Sequence, residues 1–127
     1  MKTLITLLFA RVVKKRNNKW ISNPLEAQAK TFDKLLLKAT NTEFGRDHKF
    51  STIKNYEDFK NQVPIRDYEG LKPYVDKVIS GEKNILWPGK PLYFAKTSGT
   101  TSGAKYIPIT KESIKTHINS ARDALLN

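Results

Sequence analysis

The chain has 127 residues, a length that suits one ordinary domain with a single core. The absence of cysteine excludes disulfides, thiolate zinc ligands and a cysteine nucleophile, and it favours a reducing, cytoplasmic setting. The formal net charge of +11 is typical of proteins that bind nucleic acid or anionic membranes. Basic residues without acidic neighbours, however, are confined to residues 2–19, so we expect no nucleic-acid partner.

The first predicted element is a helix in "MKTLITLLFARVVKKRNNKW". Its main positive charge follows the apolar run, opposite to a signal peptide, and Leu4 to Phe9 is far shorter than the ~20 residues that cross a bilayer. One apolar stripe at helical spacing contains Leu4, Ile5, Leu8, Phe9, Val12 and Val13. We expect this stripe to pack on the rest of the protein, and a basic helix in weak contact with a membrane surface is the alternative.

A second helix is predicted to begin at Pro24, because Asn23 can cap free amides and proline at the first position loses no needed donor. Its apolar period ends near Thr40. The following stretch, "TNTEFGRDHKF", contains glycine and polar turn residues, which predict a turn rather than a helix.

Two shorter helices are predicted next. The first contains Tyr56 and Phe59 and must stop before Pro64, because the residue preceding a proline is driven towards extended geometry. The second is capped by Asp67 and stopped by Gly81, a residue suited to left-handed backbone.

The pattern changes to strand formers at Leu92 to Thr97 and again at Tyr106 to Ile109. Because Pro108 has no amide hydrogen, the second strand belongs at an edge or a bulge. Thr110 can cap a last helix, whose predicted apolar side contains Ile114, Ile118, Ala121 and Leu125. This order predicts an α/β fold in which residues 1–127 form the amino-terminal, incomplete part of a single larger domain, with no complete second domain.

The stretch that joins the two strands lies within "KTSGTTSGAKYIPIT". Amides of a glycine-rich turn can converge on an anion, hydroxyls add short hydrogen bonds, and lysine adds positive charge. The spacing is not that of a P-loop NTPase, since only three residues separate Gly99 from Gly103 and Ala104 precedes Lys105. The residues alone leave two interpretations, a phosphate cradle and a flexible polar turn.

Ser98-Gly99-Thr100-Thr101 with Lys105 resembles the phosphate signature S-G-T-T-G-x-P-K of adenylate-forming enzymes. The variant "TSGTTSGAKYIP" is more similar to the auxin-responsive Gretchen Hagen family of acyl-acid amido synthetases, in its bacterial branch. "NPLEAQ", "NTEFGRDHKF" and "YEDFKNQVPIRDYEGLKPYVDKVISGEKNILWPG" resemble the same branch. The resemblance covers nearly the whole chain but only about the first quarter of such an enzyme.

The resemblance implies ATP- and Mg²⁺-dependent activation of a carboxylic acid as an acyl-adenylate, followed by transfer to an amine or amino acid. It assigns phosphate binding to the loop, with hydroxyl or amide donors and glycines that permit the turn, namely Ser98, Gly99, Thr100, Thr101, Ser102 and Gly103. Lys105 is implied to balance polyphosphate charge and serve catalysis. The 127-residue segment alone is expected to be inactive. The alternative function is a small basic module that binds a membrane surface or nucleic acid through residues 2–19.

Other residues with chemical potential are expected to be structural. His48 and His117 lack a second ligand at metal spacing, so no metal site is predicted. Trp87, before Pro88, is expected to be a packed aromatic rather than the wall of a substrate pocket.

Overall fold

The computed structural model describes the backbone of residues 2–97 and 103–126 and the side chains of residues 7–97 and 103–125. This part of the chain is mostly helical, with one small sheet of two antiparallel strands. The helices are α1 (Lys2–Ile21), α2 (Pro24–Ala39), α3 (Glu43–Asp47), α4 (Tyr56–Gln62), α5 (Tyr68–Ile79) and α6 (Lys111–Leu126), with a 3-10 helix at Phe50–Thr52. The strands are β1 (Tyr93–Thr97) and β2 (Lys105–Ile109).

The chain divides into two compact units. The first unit comprises residues 1–32 and 112–127, and therefore α1, α6 and the first part of α2. Its buried side chains include Val13 and Asn17, which are 2% and 5% exposed. The guanidinium of Arg16 on α1 donates a hydrogen bond to the carboxylate of Asp123 on α6, which links these helices.

The predicted apolar stripe of α1 forms a helix, but the expectation that it packs is wrong for most of its described members. Val13 is buried, whereas Leu8, Phe9 and Val12 are 56%, 55% and 67% exposed. The side chains of Leu4 and Ile5 lie outside the described residues. Helical spacing predicts which residues share a face and does not determine what covers that face.

The predicted apolar side of α6 is likewise mostly uncovered in the described residues. Ile114 is half-buried, whereas Ile118 and Leu125 are 62% and 86% exposed and Ala121 is also exposed. The helix itself, Lys111–Leu126, forms where the sequence predicted it.

The second unit, residues 33–111, contains a helix that the sequence did not predict. In α3 the side-chain oxygen of Thr42 accepts the Gly45 amide hydrogen at 3.0 Å and donates to the Ala39 carbonyl at 2.6 Å. The Glu43 and Phe44 amides donate to the carbonyls of residues 84 and 85. The turn prediction for this stretch was therefore wrong, because distant carbonyls satisfy amides that a local sequence window treats as free.

An aromatic cluster packs beside α3. The Phe44 ring stacks on His48 at 4.1 Å and meets Phe50 and Tyr74 edge-on at 5.9 and 5.2 Å between centroids. An Arg66 guanidinium nitrogen lies 2.8 Å from Nε2 of His48, so Nε2 accepts and Nδ1 donates to the Phe44 carbonyl at 2.8 Å. His48 is thus a buried packing residue, one of the two roles, surface or packing, that the sequence predicted for it.

The predicted α5 and the strand pair are confirmed. Asp67 accepts the Gly70 amide hydrogen at 2.9 Å, and Gly81 beyond the helix has φ of +93°. β1 and β2 pair in antiparallel register from Tyr93 with Ile109 to Thr97 with Lys105. The Tyr68 hydroxyl oxygen accepts the Tyr106 amide hydrogen, which places the start of α5 next to the start of β2.

Candidate phosphate-binding site

The loop between the strands begins after Thr97 and ends before Lys105, the two residues that form the last pair of the ladder. Of the predicted phosphate-binding residues, five lie outside the described part of the chain: Ser98, Gly99, Thr100, Thr101 and Ser102. Their role remains a prediction. Gly103 and Lys105 are described and lie together at the end of the loop.

Gly103 adopts left-handed backbone with φ of +80°. A Cβ built on this residue would have no described heavy atom within 4 Å, apart from its chain neighbours. The need for glycine here is therefore conformational rather than a matter of crowding. Open space beside a glycine is compatible with close approach of an anion to the backbone.

Lys105 is the first residue of β2 and is half-buried. Its Nζ lies 5.5 Å from the ring centroid of Tyr68, the first residue of α5. The hydroxyl oxygen of Tyr68 accepts the amide hydrogen of Tyr106 at 2.9 Å. α5 therefore contacts the end of the loop through one aromatic side chain.

A second lysine lies at the start of the loop. Nζ of Lys96 is 6.0 Å from the ring centroid of Tyr106, its cross-strand partner, and Tyr106 also meets Phe94 edge-on at 6.3 Å. Sequence reasoning missed both Lys96 and Tyr68 as neighbours of the site. Lys96 could have been recognised once the strands were placed, because antiparallel pairing sets it opposite Tyr106. Tyr68 could not, because it lies 38 residues from Tyr106 and no local pattern connects it with the site.

Trp87 is half-buried and lines a mainly apolar cleft together with Val78 of α5, residues that follow α5, and residues at the end of β2. Nζ of Lys38 lies 6.0 Å from the centroid of the Trp87 ring system. The indole therefore packs beside a lysine and also borders open space. Its predicted packing is compatible with this position.

No group of three or more histidine, aspartate or glutamate side chains is placed to hold a metal ion in the described ranges. Among the helices described, none combines the length and apolar character needed to cross a bilayer.

The chain thus combines a helical section with two antiparallel strands, and the sequence between the strands is rich in glycine and hydroxyl residues and precedes Lys105. Residues 13–127 match the model of the GH3 family N-terminal domain. The chain therefore belongs to the GH3 family. This finding confirms the resemblance at the level of the family.

The chain is similar to proteins that are named as synthetases and ligases of acids and amino acids. The chain is 28% identical over 95 residues to indole-3-acetic acid-amido synthetase GH3.5 of Arabidopsis thaliana, a match that covers 73% of this chain and 16% of that protein. It is 30% identical to jasmonoyl--L-amino acid synthetase JAR4 of Nicotiana attenuata, covering 67% of this chain and 15% of that protein. A third relative is the 4-substituted benzoates-glutamate ligase GH3.12 of Arabidopsis thaliana, 32% identical, covering 66% and 15%.

Proposed function

We propose that this chain supplies the phosphate-binding, amino-terminal segment of an ATP-dependent acyl-acid amido synthetase of the bacterial GH3 branch. The observation that carries the proposal is the family match over residues 13–127, which includes the whole strand-loop-strand unit. The relatives' names, an amido synthetase, an amino acid synthetase and a glutamate ligase, support an acid and an amino acid as substrates. The matches span 15–16% of those relatives, so the remaining parts of such an enzyme would supply further substrate contacts.

In the proposed reaction, a carboxylate oxygen of the acid attacks the α-phosphorus of ATP, and the bond to the departing pyrophosphate breaks. The amine then attacks the acyl carbon, AMP leaves, and the amine loses a proton. The proposed role of the loop is to hold the polyphosphate during the first step, where positioning and charge stabilisation dominate.

The described residues are compatible with such a ligand. Among the described residues, no heavy atom beyond its chain neighbours fills the space beside the Gly103 backbone, and no carboxylate neutralises Lys105. We propose that Mg²⁺ arrives with the nucleotide, because this ion is commonly held by phosphate oxygens, water and one or two carboxylates.

The test uses an enzyme in which the stretch of this chain that matches the Arabidopsis relative GH3.5 replaces the corresponding stretch of that relative. Lys105→Ala is expected to slow acid-dependent exchange of pyrophosphate into ATP by ~10- to 1000-fold, because one preorganised charged contact is lost. Gly103→Val is expected to impair both nucleotide binding and exchange, because valine disfavours φ of +80°. The purified 127-residue chain alone is expected to show no exchange, since it cannot orient base, ribose and acid together.

Lys83→Ala, which removes an exposed lysine elsewhere in the second unit, is the matched control for charge. Amide formation from a presynthesised acyl-adenylate should survive in both loop variants, because this half-reaction does not expel pyrophosphate. Retained amide formation also shows that the chimera is folded. Normal exchange in a folded Lys105→Ala or Gly103→Val enzyme would reject the phosphate role of that residue and favour the flexible-turn interpretation.

The alternative, a basic α1 that contacts an anionic membrane surface, gains support from the exposure of Leu8, Phe9 and Val12 beside the basic residues of that helix. Binding to phosphatidylserine vesicles that weakens steeply with salt would favour this function. Its loss on charge reversal at Lys14, Lys15 and Arg16 would assign the binding to α1.

A further inference from the structure

Tyr68 contacts two consecutive residues of β2 at the end of the candidate phosphate loop. Its ring lies beneath the ammonium of Lys105, with Nζ 5.5 Å from the centroid. Its hydroxyl oxygen accepts the Tyr106 amide hydrogen at 2.9 Å. One side chain thus holds both the backbone that follows Lys105 and the charged end of Lys105 itself.

The way in which Lys105 is held differs from that of several other lysines. Lys30, Lys60, Lys72 and Lys77 each pair with a carboxylate at 2.5–3.0 Å. Lys105 forms no such pair in the described ranges and rests on a neutral aromatic face instead. A cation on a π face is restrained in direction without being neutralised by an opposite formal charge, so it remains available to an anion.

The hydroxyl contact adds a second restraint. Tyr68 begins α5, whose first turn is fixed by the Asp67 cap, so the phenol is anchored near the start of a capped helix. The hydrogen bond to Tyr106 joins that helix to β2 one residue after Lys105. The position of the lysine backbone therefore depends on α5 as well as on the strand pair.

We infer that Tyr68 is a positioning residue that presents the Lys105 ammonium to a pyrophosphate group bound at the loop. The inference rests on the proposed function, because it needs the loop to bind phosphate. The ring sets the direction of the ammonium and the hydroxyl sets the β2 backbone. Tyr68 itself need not touch the anion.

The experiment titrates the 127-residue chain with magnesium pyrophosphate and follows the Gly103 amide and the Lys105 side chain by NMR. In the unliganded chain, the Tyr68 ring should shift the Lys105 ε-protons upfield. Tyr68→Leu should abolish this shift and raise the dissociation constant by about threefold to tenfold, because the cation-π restraint is lost. Tyr68→Phe keeps the ring, so it should retain the upfield shift and weaken binding less.

Tyr56→Leu is the matched control, because it removes the same kind of contact elsewhere: Nζ of Lys60 lies 5.6 Å from the Tyr56 ring centroid. It should leave pyrophosphate affinity unchanged. In a Lys105→Ala background, Tyr68→Leu should cause no further loss if it acts through the lysine. Far-ultraviolet circular dichroism checks that the variants fold, and Tyr68→Phe provides a milder test if the leucine variant does not.

The outcomes distinguish a failure of the proposed phosphate-binding function from a failure of the positioning role of Tyr68 alone. If the wild-type chain shows no pyrophosphate-dependent shift, or Lys105→Ala binds as well as wild type, the phosphate-binding function itself fails, and the positioning role fails with it. If Lys105→Ala weakens binding but Tyr68→Leu does not, only the positioning role is overturned. An equal loss from Tyr68→Leu with and without Lys105 would assign Tyr68 a purely structural role.

Discussion

The two compact units differ in how much of their helical surface is covered. In the described residues, the second unit buries six apolar side chains: Leu36, Ala39, Phe50, Val75, Val78 and Ile85. The first unit buries one, Val13, although it contains two of the longest helices. Isolated helices are marginal in water, and tertiary packing supplies most of their stability. We therefore expect the second unit to resist local unfolding more than the first.

The units also differ in how their buried polar groups are used. In the second unit, Thr42 is 1% exposed and bonds both the Gly45 amide and the Ala39 carbonyl. His48 is 5% exposed and uses both ring nitrogens. Satisfied buried polar groups specify one arrangement, because every displaced partner leaves an unpaired group. In the first unit, the buried Asn17 accepts a longer hydrogen bond, 3.4 Å from Nε1 of Trp20 on the same helix.

The largest expected effect is a change that breaks the second unit from within. Gly45→Ala places a Cβ 2.0 Å from the carbonyl oxygen of Ala39, a backbone atom that cannot rotate away. We expect a loss of about 3 kcal/mol or more in the free energy of unfolding, because the turn between α2 and α3 must shift. Urea denaturation followed by circular dichroism measures the loss.

Gly70→Ala is the matched control for this change. Its Cβ would lie 3.2 Å from Cβ of Arg66, a tight contact but not an overlap, and it lies inside α5, where alanine has the better helix propensity. The two effects should nearly cancel, to within about 1 kcal/mol. Equal stability of Gly45→Ala and wild type would contradict the close contact between Gly45 and Ala39.

A pair of adjacent valines sharpens the comparison inside the first unit. Val13 is 2% exposed and Val12 is 67% exposed on the same helix. Val13→Ala should destabilise the unit by about 1–2 kcal/mol through lost burial and a residual cavity, whereas Val12→Ala should change stability by no more than about 0.5 kcal/mol. Hydrogen exchange of α1 and α6 amides, measured by mass spectrometry, reports this unit directly.

The two valine variants have the same change in helix propensity, so their difference measures packing alone. A loss for Val12→Ala as large as that for Val13→Ala would show that the exposed side of α1 is covered in solution. That result would also weaken the membrane-surface alternative, which needs this side to be accessible.

How well each element could be predicted depends on whether its capping and packing partners lie close to it or far from it in the sequence. The helices that begin at Pro24 and Tyr68 were predicted from local start signals and the helix at Tyr56–Gln62 from a local stop signal before Pro64, and all three form as predicted. α3 was missed although Thr42 is a local cap, and the amides of Glu43 and Phe44 find their partners in the carbonyls of residues 84 and 85, some forty residues away. The packing of α1 was misjudged because periodicity carries no information about the covering surface.

The candidate site shows the same division between local and distant information. The loop composition and the left-handed Gly103 follow from residues close together in sequence, and the family match supports the resemblance that singled them out. The contact between Lys105 and Tyr68 could not be predicted, because the two residues lie far apart in the sequence and no local pattern connects them. Only the packing of α5 on β2 brings the two together.

The smallest expected effect concerns the ion pair between α1 and α6. Burial raises the pKa of Asp123, but hydrogen bonds from the Arg16 and Arg122 guanidinium groups outweigh it and hold the pKa below its ordinary value. A carboxyl with a lowered folded-state pKa contributes stability that is present above its unfolded pKa of about 3.9 and is lost as pH falls through the folded value. Because both guanidinium partners reach water, added salt should shrink the small decrease in melting temperature that we expect from Asp123→Asn at neutral pH. A decrease that persisted in acid would show that Asp123 stabilises the helices through packing rather than through its charge.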